Sequence, residues 1–385
     1  MKLMKILDLR FDTKKTVLAL GPESAGNFSV FHNGKLYFSE DFGDLLEDTN
    51  FNKFQKELNI FLKQNEITPG IILTDLHPLY KTTILGQKLS KQFKAKHIQV
   101  QHHIAHIFSV VGDQFIQNSS AVADEIKNSF YGVALDGTGY GLDGKIWGGE
   151  VFKVKSRESK IESIDRIGHL ENQILIGGDL AIQEPTRMSI SILSKFLDKE
   201  AVYKYVKKYY SKNEFEVLYN QLQKNFNCVE TSSTGRILDA VSIFLGFCRN
   251  KRNYKHEPID LLEKNSTKPY TDLKPKIIYD KKEKLYILQT IPLFEYLIKN
   301  IKKDKKRLAA TAQLYIAHGL YEIIKLQIKS QEQKNIFMAG GIANNKIISH
   351  YLESKGAYKN KTVPVGDAGL SFGQIIRYFL TDPRN

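Results

Sequence analysis

Tyr131-Gly132-Val133-Ala134-Leu135 runs directly into Asp136-Gly137-Thr138-Gly139-Tyr140-Gly141. After the tight-turn pair Asp143-Gly144, the chain returns as Ile146-Trp147-Gly148-Gly149-Glu150-Val151-Phe152. The first run reads as a buried strand, the Asp/Gly segment as a glycine turn, and the second run as a strand returning beside the first. An earlier stretch is of the same kind. Val17-Leu18-Ala19-Leu20 reads as a strand and Gly21 to Gly26 as a turn. Phe28-Ser29-Val30-Phe31, the hairpin turn His32-Asn33-Gly34-Lys35 and Leu36-Tyr37-Phe38 then follow.

Each unit leads into alternating helices and strands. Phe51, Phe54, Leu58, Phe61 and Leu62 lie on one face of a 3.6-residue period, which predicts an amphipathic helix. Strands are expected at Ile71-Ile72-Leu73 and Ile98-Gln99-Val100, and a long helix from about Arg307 to Gln327. A strand at Ile336-Phe337-Met338 ends in Gly340-Gly341 before another helix. Residues 188–262 read as mostly helical, with Ile237, Leu238, Val241, Phe244 and Leu245 forming an apolar stripe. The pattern predicts a duplicated α/β chain. A first lobe spans 1–129, with a final helix 370–385 packing back on it, and a second lobe spans 130–369 with the helical insertion 188–262. Two such lobes leave a cleft into which the glycine turns point.

A chain of 385 residues fits two or three lobes, and its 42% hydrophobic and 25% charged residues are ordinary for a globular protein. No apolar run reaches the ~18 residues of a membrane span. Asp8, Arg10 and Asp12 interrupt any signal-peptide core. Two cysteines exclude a disulfide framework and a Cys-cluster zinc site, so the expected compartment is the reducing cytoplasm. The net charge of +14 invites a nucleic-acid reading, but the lysines are scattered and not interleaved with aromatics. A nucleic-acid partner is therefore not expected.

Several motifs can carry chemistry. In Gln101-His102-His103-Ile104-Ala105-His106, His102 and His106 stand at i, i+4 on an expected helix, so both imidazoles share one face and can share a metal. The alternative is a satisfied polar pair at a helix start. Asp136 ends a buried strand and so faces the cleft, and Gly137 and Gly139 can expose N–H groups to an anion. The same residues also fit a plain hairpin. Further candidates are Ile176-Gly177-Gly178-Asp179 with Glu184-Pro185-Thr186-Arg187, and Thr231-Ser232-Ser233-Thr234-Gly235-Arg236 at a helix N-terminus. Gly340-Gly341 with Asn345 and Gly366-Asp367-Ala368-Gly369 complete the set. Asp367 is either a metal ligand or the N-cap of the last helix. Two His and two Asp would form an N/O set suited to Zn²⁺ or Fe²⁺.

In their order along the chain these segments resemble the C-terminal carbamoyltransferase domain of the hydrogenase maturation protein HypF. The resemblance rests on Gly43-Asp44-Leu45, Asp75-Leu76-His77-Pro78-Leu79-Tyr80, the His102–His106 cluster, and Leu135 to Gly139 with Trp147-Gly148-Gly149-Glu150. It continues through Gly177-Gly178-Asp179 with Glu184-Pro185, Ser232 to Arg236, Gly340-Gly341 with Asn345, and Asp367 with Gly369-Leu370. It implies the two-lobed actin-like, sugar-kinase-like ATPase fold. It also implies a divalent metal, Fe²⁺ or Zn²⁺, on His102, His106, Asp136 and Asp367. The implied reaction is transfer of a carbamoyl group from carbamoyl adenylate to the C-terminal cysteine of HypE, which becomes the cyanide ligand of nickel-iron hydrogenase. Asp136, Gly137, Gly139 and His103 are then the expected catalytic residues. Gly177, Gly178, Asp179, Glu184, Ser233, Gly235, Arg236, Gly340, Gly341 and Asn345 are expected around the ATP-derived AMP part.

The chain departs from the family pattern in three places. About fifteen residues precede the first expected strand, where HypF carries acylphosphatase, zinc-finger and adenylate-forming domains. A separate adenylate-forming partner is therefore expected beside a HypE-like acceptor. Tyr254-Lys255-His256-Glu257-Pro258-Ile259 stands where the family has Tyr-Glu-Gly-Gln-Ala-Ala, and no Lys precedes Asn27. Three other readings stay open: a carbamoyltransferase for a small-molecule hydroxyl, an enzyme like the tRNA threonylcarbamoyl transferases, and a non-catalytic nucleotide-binding protein.

Overall fold

The computed structural model describes residues 4–8, 11, 13–117, 128–157, 160–328 and 335–381. Two sheets form its frame. The first has six strands in the spatial order Met4–Asp8, Lys35–Ser39, Ser29–His32, Val17–Ala19, Ile71–Asp75, Lys96–Val100. The second runs Ile277–Asp280, Leu285–Leu288, Lys160–Leu170, Ile146–Arg157, Phe130–Tyr140, Ile336–Ala339, Ala357–Tyr358, with Gln173–Ile176 and Cys228–Thr231 off this path.

The two sheets repeat one plan. Val17–Ala19, Ser29–His32 and Lys35–Ser39 form an antiparallel meander, and Ile71–Asp75 and Lys96–Val100 add parallel strands on its other side. Phe130–Tyr140, Ile146–Arg157 and Lys160–Leu170 form the second meander, with Ile336–Ala339 and Ala357–Tyr358 parallel beside it. Counting only these five strands in each half, both read 3-2-1-4-5. The duplicated α/β plan expected from the sequence is the fold of this chain. Parallel strands need crossover helices, and Asp48–Gln64 and Lys81–Phe93 supply them in the first half. Phe54, Leu58, Phe61 and Leu62 are the buried face of the Asp48–Gln64 helix.

Two helices lie between the sheets: His102–Gln117 and the final Leu370–Thr381. Their buried residues, including Ala105, Phe108, Phe372 and Ile376, join Val17 and Phe31 of the first sheet to Phe130 and Phe337 of the second in one apolar cluster. Gly373 lies against the Ala105 carbonyl, so the helices touch closely. The final helix also bonds to the first sheet's side of the chain. Gln374 Oε1 accepts from Gly21 N–H (3.1 Å), and the Ser29 and Ser371 hydroxyls meet at 2.8 Å. Both helices start at the same end of the molecule, which brings their first turns together.

One expectation is corrected, and three elements are added to those expected. The Asp136–Gly141 segment is not the turn. The strand continues to Tyr140, and the ladder register shifts between Leu135 and Gly139, so the glycines form a bulge. The chain reverses at 141–145, where Gly141 N–H donates to Lys145 O. The 188–262 region is not wholly helical: Cys228–Thr231 pairs antiparallel with Gln173–Ile176. Met4–Asp8 adds an edge strand ahead of Val17. A hairpin at Ile277–Asp280 and Leu285–Leu288 was not foreseen either. Residues 382–385 of the expected last helix, and 118–127 before the expected lobe boundary, lie outside the described residues.

Candidate metal centre

Three segments deliver polar side chains to one point. The helix His102–Gln117 brings His102 and His106 on its first turns, the bulge brings Asp136, and the turn Asp367–Gly369 brings Asp367. One ligand atom from each of the four lies within 4.8 Å of every other. His102 Nε2 stands 3.1 Å from His106 Nε2, 3.2 Å from Asp136 Oδ2 and 3.4 Å from Asp367 Oδ1. His106 Nε2 stands 3.5 Å from Asp136 Oδ2 and 3.2 Å from Asp367 Oδ1. A tetrahedral ion with bonds of ~2.0–2.1 Å requires ligand-to-ligand edges of ~3.3–3.4 Å. The five edges straddle that value, so the donor set fits a four-coordinate Zn²⁺ or Fe²⁺. Asp367 is the first residue of its turn, which Gly366 precedes as N-cap, and the final helix begins only at Leu370.

The spare polar atoms of His102, Asp136 and Asp367 are tied down. His102 Nδ1–H donates to Asp75 Oδ2 (2.7 Å), and Asp75 is fully buried. Asp136 Oδ1 accepts from Gly137 N–H (2.8 Å) and Gly341 N–H (3.4 Å), which leaves Oδ2 for the cluster. The Ser24 hydroxyl donates to Asp367 Oδ2, leaving Oδ1. A carboxylate behind a ligating imidazole fixes the tautomer and ring orientation and raises its basicity.

Without an ion, the cluster shares protons. Burial opposes a charge on His102, but Asp75 and the hydrogen bonds with Asp136 and Asp367 outweigh it and lift its pKa well above the usual 6.5. For His106 burial also opposes, and Asp136 and Asp367 again prevail, raising it. Burial pushes the Asp136 and Asp367 carboxyls up, yet bonding to the two imidazoles holds both well below the usual carboxylate range. The site is thus built for positive charge.

His103 is fully buried one residue along. Gln101 Oε1 accepts from Ile104 N–H (2.9 Å), so its amide nitrogen faces Tyr140 O and His103 Nδ1, both at 3.0 Å. That makes Nδ1 the acceptor and places the ring proton on Nε2, which is buried without a partner. Burial, helped by the charge of His102, drives the pKa down to about 4, so the ring stays neutral. A Cβ on residue 139 would sit 2.7 Å from His102 Cδ2 and 2.8 Å from His103 Nε2, so only glycine fits there.

Other expected site residues gather on Asp136. Ser233 caps the helix Thr234–Leu245, accepting from Arg236 N–H (3.0 Å), and its hydroxyl donates to Gly137 O. A Cβ on Gly235 would come within 2.9 Å of Gly137 Cα. Gly340 has φ +93°, and a Cβ there would collide with the Leu135 carbonyl. Arg236 is buried and pairs with Asp239 (3.0 Å), which also takes Arg252 (2.8 Å).

The remaining candidates stand apart from the four ligands. Gly177, Gly178 and Asp179 form the turn before Leu180–Gln183. Across from them, burial lowers the pKa of His77, which Asp75, Glu23 and more weakly Asp179 oppose. Glu184 Oε2 accepts from Arg187 Nε (2.7 Å) and the Tyr210 hydroxyl (2.8 Å). Asn345 caps Lys346–Glu353 and donates to Gln313 Oε1 (2.7 Å) and Glu263 Oε2 (3.3 Å). Sequence reasoning passed over Asp75, Ser24 and Gln101. Asp75 ends a parallel strand, where fold logic puts crevice residues, and that signal was available.

The chain as a whole has relatives. The family model for the carbamoyltransferase, Kae1-like domain, second subdomain, matches residues 132–374, and the model for the HypF Kae1-like domain matches 12–113. The chain belongs to the HypF Kae1-like carbamoyltransferase-domain family. It is 36% identical to the probable carbamoyltransferase HypF of Methanocaldococcus jannaschii, over 97% of this chain and 47% of that protein. It is 25% identical to a carbamoyltransferase HypF homolog of Cupriavidus necator, over 93% of this chain and 90% of the homolog. The crystal structure of T. kodakarensis HypF superposes with a TM-score of 0.82 at 30% identity, over 97% of this chain and 49% of that one. Full-length HypF in a phosphate- and nucleotide-bound form shares the fold, with a TM-score of 0.84 at 24% identity over 97% of this chain and 47% of that one. The chain thus spans about half the length of most HypF proteins it matches. No helix among the described residues is long and apolar enough to cross a membrane.

Proposed function

We propose that this chain transfers a carbamoyl group from carbamoyl adenylate to the C-terminal cysteine thiolate of a HypE-like protein, in the maturation of the nickel-iron hydrogenase cyanide ligand. The observation that carries this reading is the convergence of one ligand atom each from His102, His106, Asp136 and Asp367 within 4.8 Å of one another. These four would hold Fe²⁺ or Zn²⁺, which when bound supplies Lewis-acid polarisation. Family membership and the HypF relatives support the reaction class.

The thiolate sulfur attacks the carbamoyl carbon, a C–S bond forms, and the C–O bond to phosphate breaks with its electron pair leaving on AMP. A thiolate near its own pKa needs little help from a base. The chain's residues orient and stabilise. His103 Nε2–H is a neutral donor without a partner and holds developing negative charge; the Gly137 N–H orients Asp136 through Oδ1, and Gly139 leaves room for the rings of His102 and His103. Arg236, with Nε and Nη1 unpaired, offsets phosphate charge at the Ser233–Gly235 turn. Gly177, Gly178, Asp179, Glu184, Gly340, Gly341 and Asn345 surround the nucleotide part. The reaction takes place in the cytoplasm. In this reading residues 1–129 with the last helix act as one lobe and 130–369 as the other.

Mass spectrometry of the acceptor after incubation with preformed carbamoyl adenylate tests the proposal. The parent chain is expected to add one carbamoyl group to the terminal cysteine, and the double variant H102A/H106A to add none. An unmodified acceptor with the metal-loaded parent, or full modification by the double variant, refutes it.

A further inference from the structure

The helix that carries His102 and His106 carries two more polar residues on the same stripe. His102, His106, Ser109 and Asp113 follow at spacings of 4, 3 and 4, so they line one face. All four are buried. Asp113 lies ~10 Å along the helix from His106 and touches none of the ligands. Its carboxylate meets a different structure, the 361–363 backbone. Oδ2 accepts from Lys361 N–H (2.8 Å), and Oδ1 accepts from Thr362 N–H (2.8 Å) and Val363 N–H (2.6 Å). Gln117 Nε2 adds a fourth bond, to Oδ2 (2.5 Å). One turn nearer the imidazoles, Ser109 Oγ accepts from Asn360 Nδ2 (3.1 Å).

The segment held in this way leads into the centre. Between the strand Ala357–Tyr358 and the turn Asp367–Gly369 the chain is in no helix or strand. Only Pro364, Val365 and Gly366 separate the anchored amides from Asp367. Proline fixes its own φ and shortens the slack further. Asp367 is the most exposed of the four ligands, with its side chain 23% accessible against 10% or less for the others. Its own hold is Ser24 on Oδ2 and Asn27 Nδ2 on its carbonyl (3.0 Å), both from the first half of the chain. The stripe therefore works as a rail: the imidazoles sit at one end, and the strand of chain presenting Asp367 is pinned along the rest.

We propose that Asp113 is a positioning residue of the cation site, which sets where Asp367 stands relative to His102 and His106 by fixing the 361–363 backbone. The inference rests on the four-ligand reading of the site. A carboxylate accepting three consecutive backbone N–H groups makes charge-assisted bonds, and removing it leaves buried donors unpaired. The loop then finds other partners, and Asp367 moves with it.

Titration of the metal-stripped full chain with Co²⁺, read by its visible d–d absorption, tests this. The parent is expected to show the intense absorption of a four-coordinate site. D113A is expected to bind ~10–100-fold more weakly, with a spectrum displaced toward that of D367A. D113N keeps an acceptor for two of the amides and is expected to fall between, and S109A to weaken binding less than either. If D113A does not fold, D113N decides. Affinity within about twofold of the parent together with a superimposable spectrum in the folded variants overturns the inference. So does a lowered melting temperature with unchanged affinity and spectrum, which makes Asp113 structural only. A parent that binds no Co²⁺ removes the site reading itself and the inference with it.

Discussion

Asp75 is fully buried and takes the Nδ1–H of His102, which turns Nε2 and its lone pair toward Asp136 and Asp367. Substituting Asp75 with Ala frees the ring to rotate and lowers its basicity. Zn²⁺ affinity is expected to fall ~10–100-fold, measured by competition with a chelating dye. An affinity equal to the parent's would show that Asp75 does not orient the ligand. The two imidazoles also set a pH dependence. Both pKa values are raised above 6.5 in the ion-free chain, His102 more strongly, so both rings keep their protons to higher pH than a free imidazole and a divalent cation must expel them. Binding should release protons, and affinity should climb with pH until the ion-free imidazoles become neutral. Calorimetry in buffers of different ionisation enthalpy reads that release, and zero release at pH 7 would contradict it. His102 and His106 were legible from their spacing, and Asp136 and Asp367 from segment order. Asp75 was legible in principle from its place at the end of a parallel strand, whereas Ser24 was not, because it acts through another side chain and carries no periodic signature.

The bulge in Phe130–Tyr140 is what aims Asp136, and it is braced from the neighbouring strand. Glu150 of Ile146–Arg157 is fully buried. Its Oε1 accepts from the Ser232 hydroxyl and from Gly148 and Gly149 N–H (3.2 and 3.3 Å), and its Oε2 from Arg166 Nε (2.6 Å). Burial pushes this carboxyl up, but Arg166, His169, His103 and Ser232 outweigh it and hold it below its ordinary 4.5. A group lowered on folding contributes stability that is complete above its unfolded pKa and lost as pH falls through the folded one. E150Q leaves Arg166 only the more distant Asp143 (3.7 Å) as a counter-charge and is expected to cost about 3 kcal/mol at neutral pH. The gap to the parent should narrow below pH 4.5. Urea denaturation at pH 7 and at pH 4 checks both, and a gap that is constant with pH would contradict the assignment. Strands and amphipathic helices were readable from periodicity. The bulge was taken for a turn because glycine content looks the same in both and only the ladder register separates them. Cys228–Thr231 and the hairpin at 277–288 were missed because they are short and half-exposed, with no clear alternation.

Two copies of one strand order face each other across the helices His102–Gln117 and Leu370–Thr381. Approximate repetition of strand, glycine turn and strand was enough to anticipate the duplication. It could not show that both interposed helices begin at the same end, because that depends on packing between residues more than 250 positions apart, such as Ala105 and Gly373. This arrangement lets side chains from residues 102, 106, 136 and 367 meet. Anomalous X-ray scattering from crystals of the Zn²⁺- or Fe²⁺-loaded chain addresses that meeting point. A single peak is expected ~2.0–2.2 Å from His102 Nε2, His106 Nε2, Asp136 Oδ2 and Asp367 Oδ1. A loaded crystal with no peak there, or with the ion held by other residues, would contradict it.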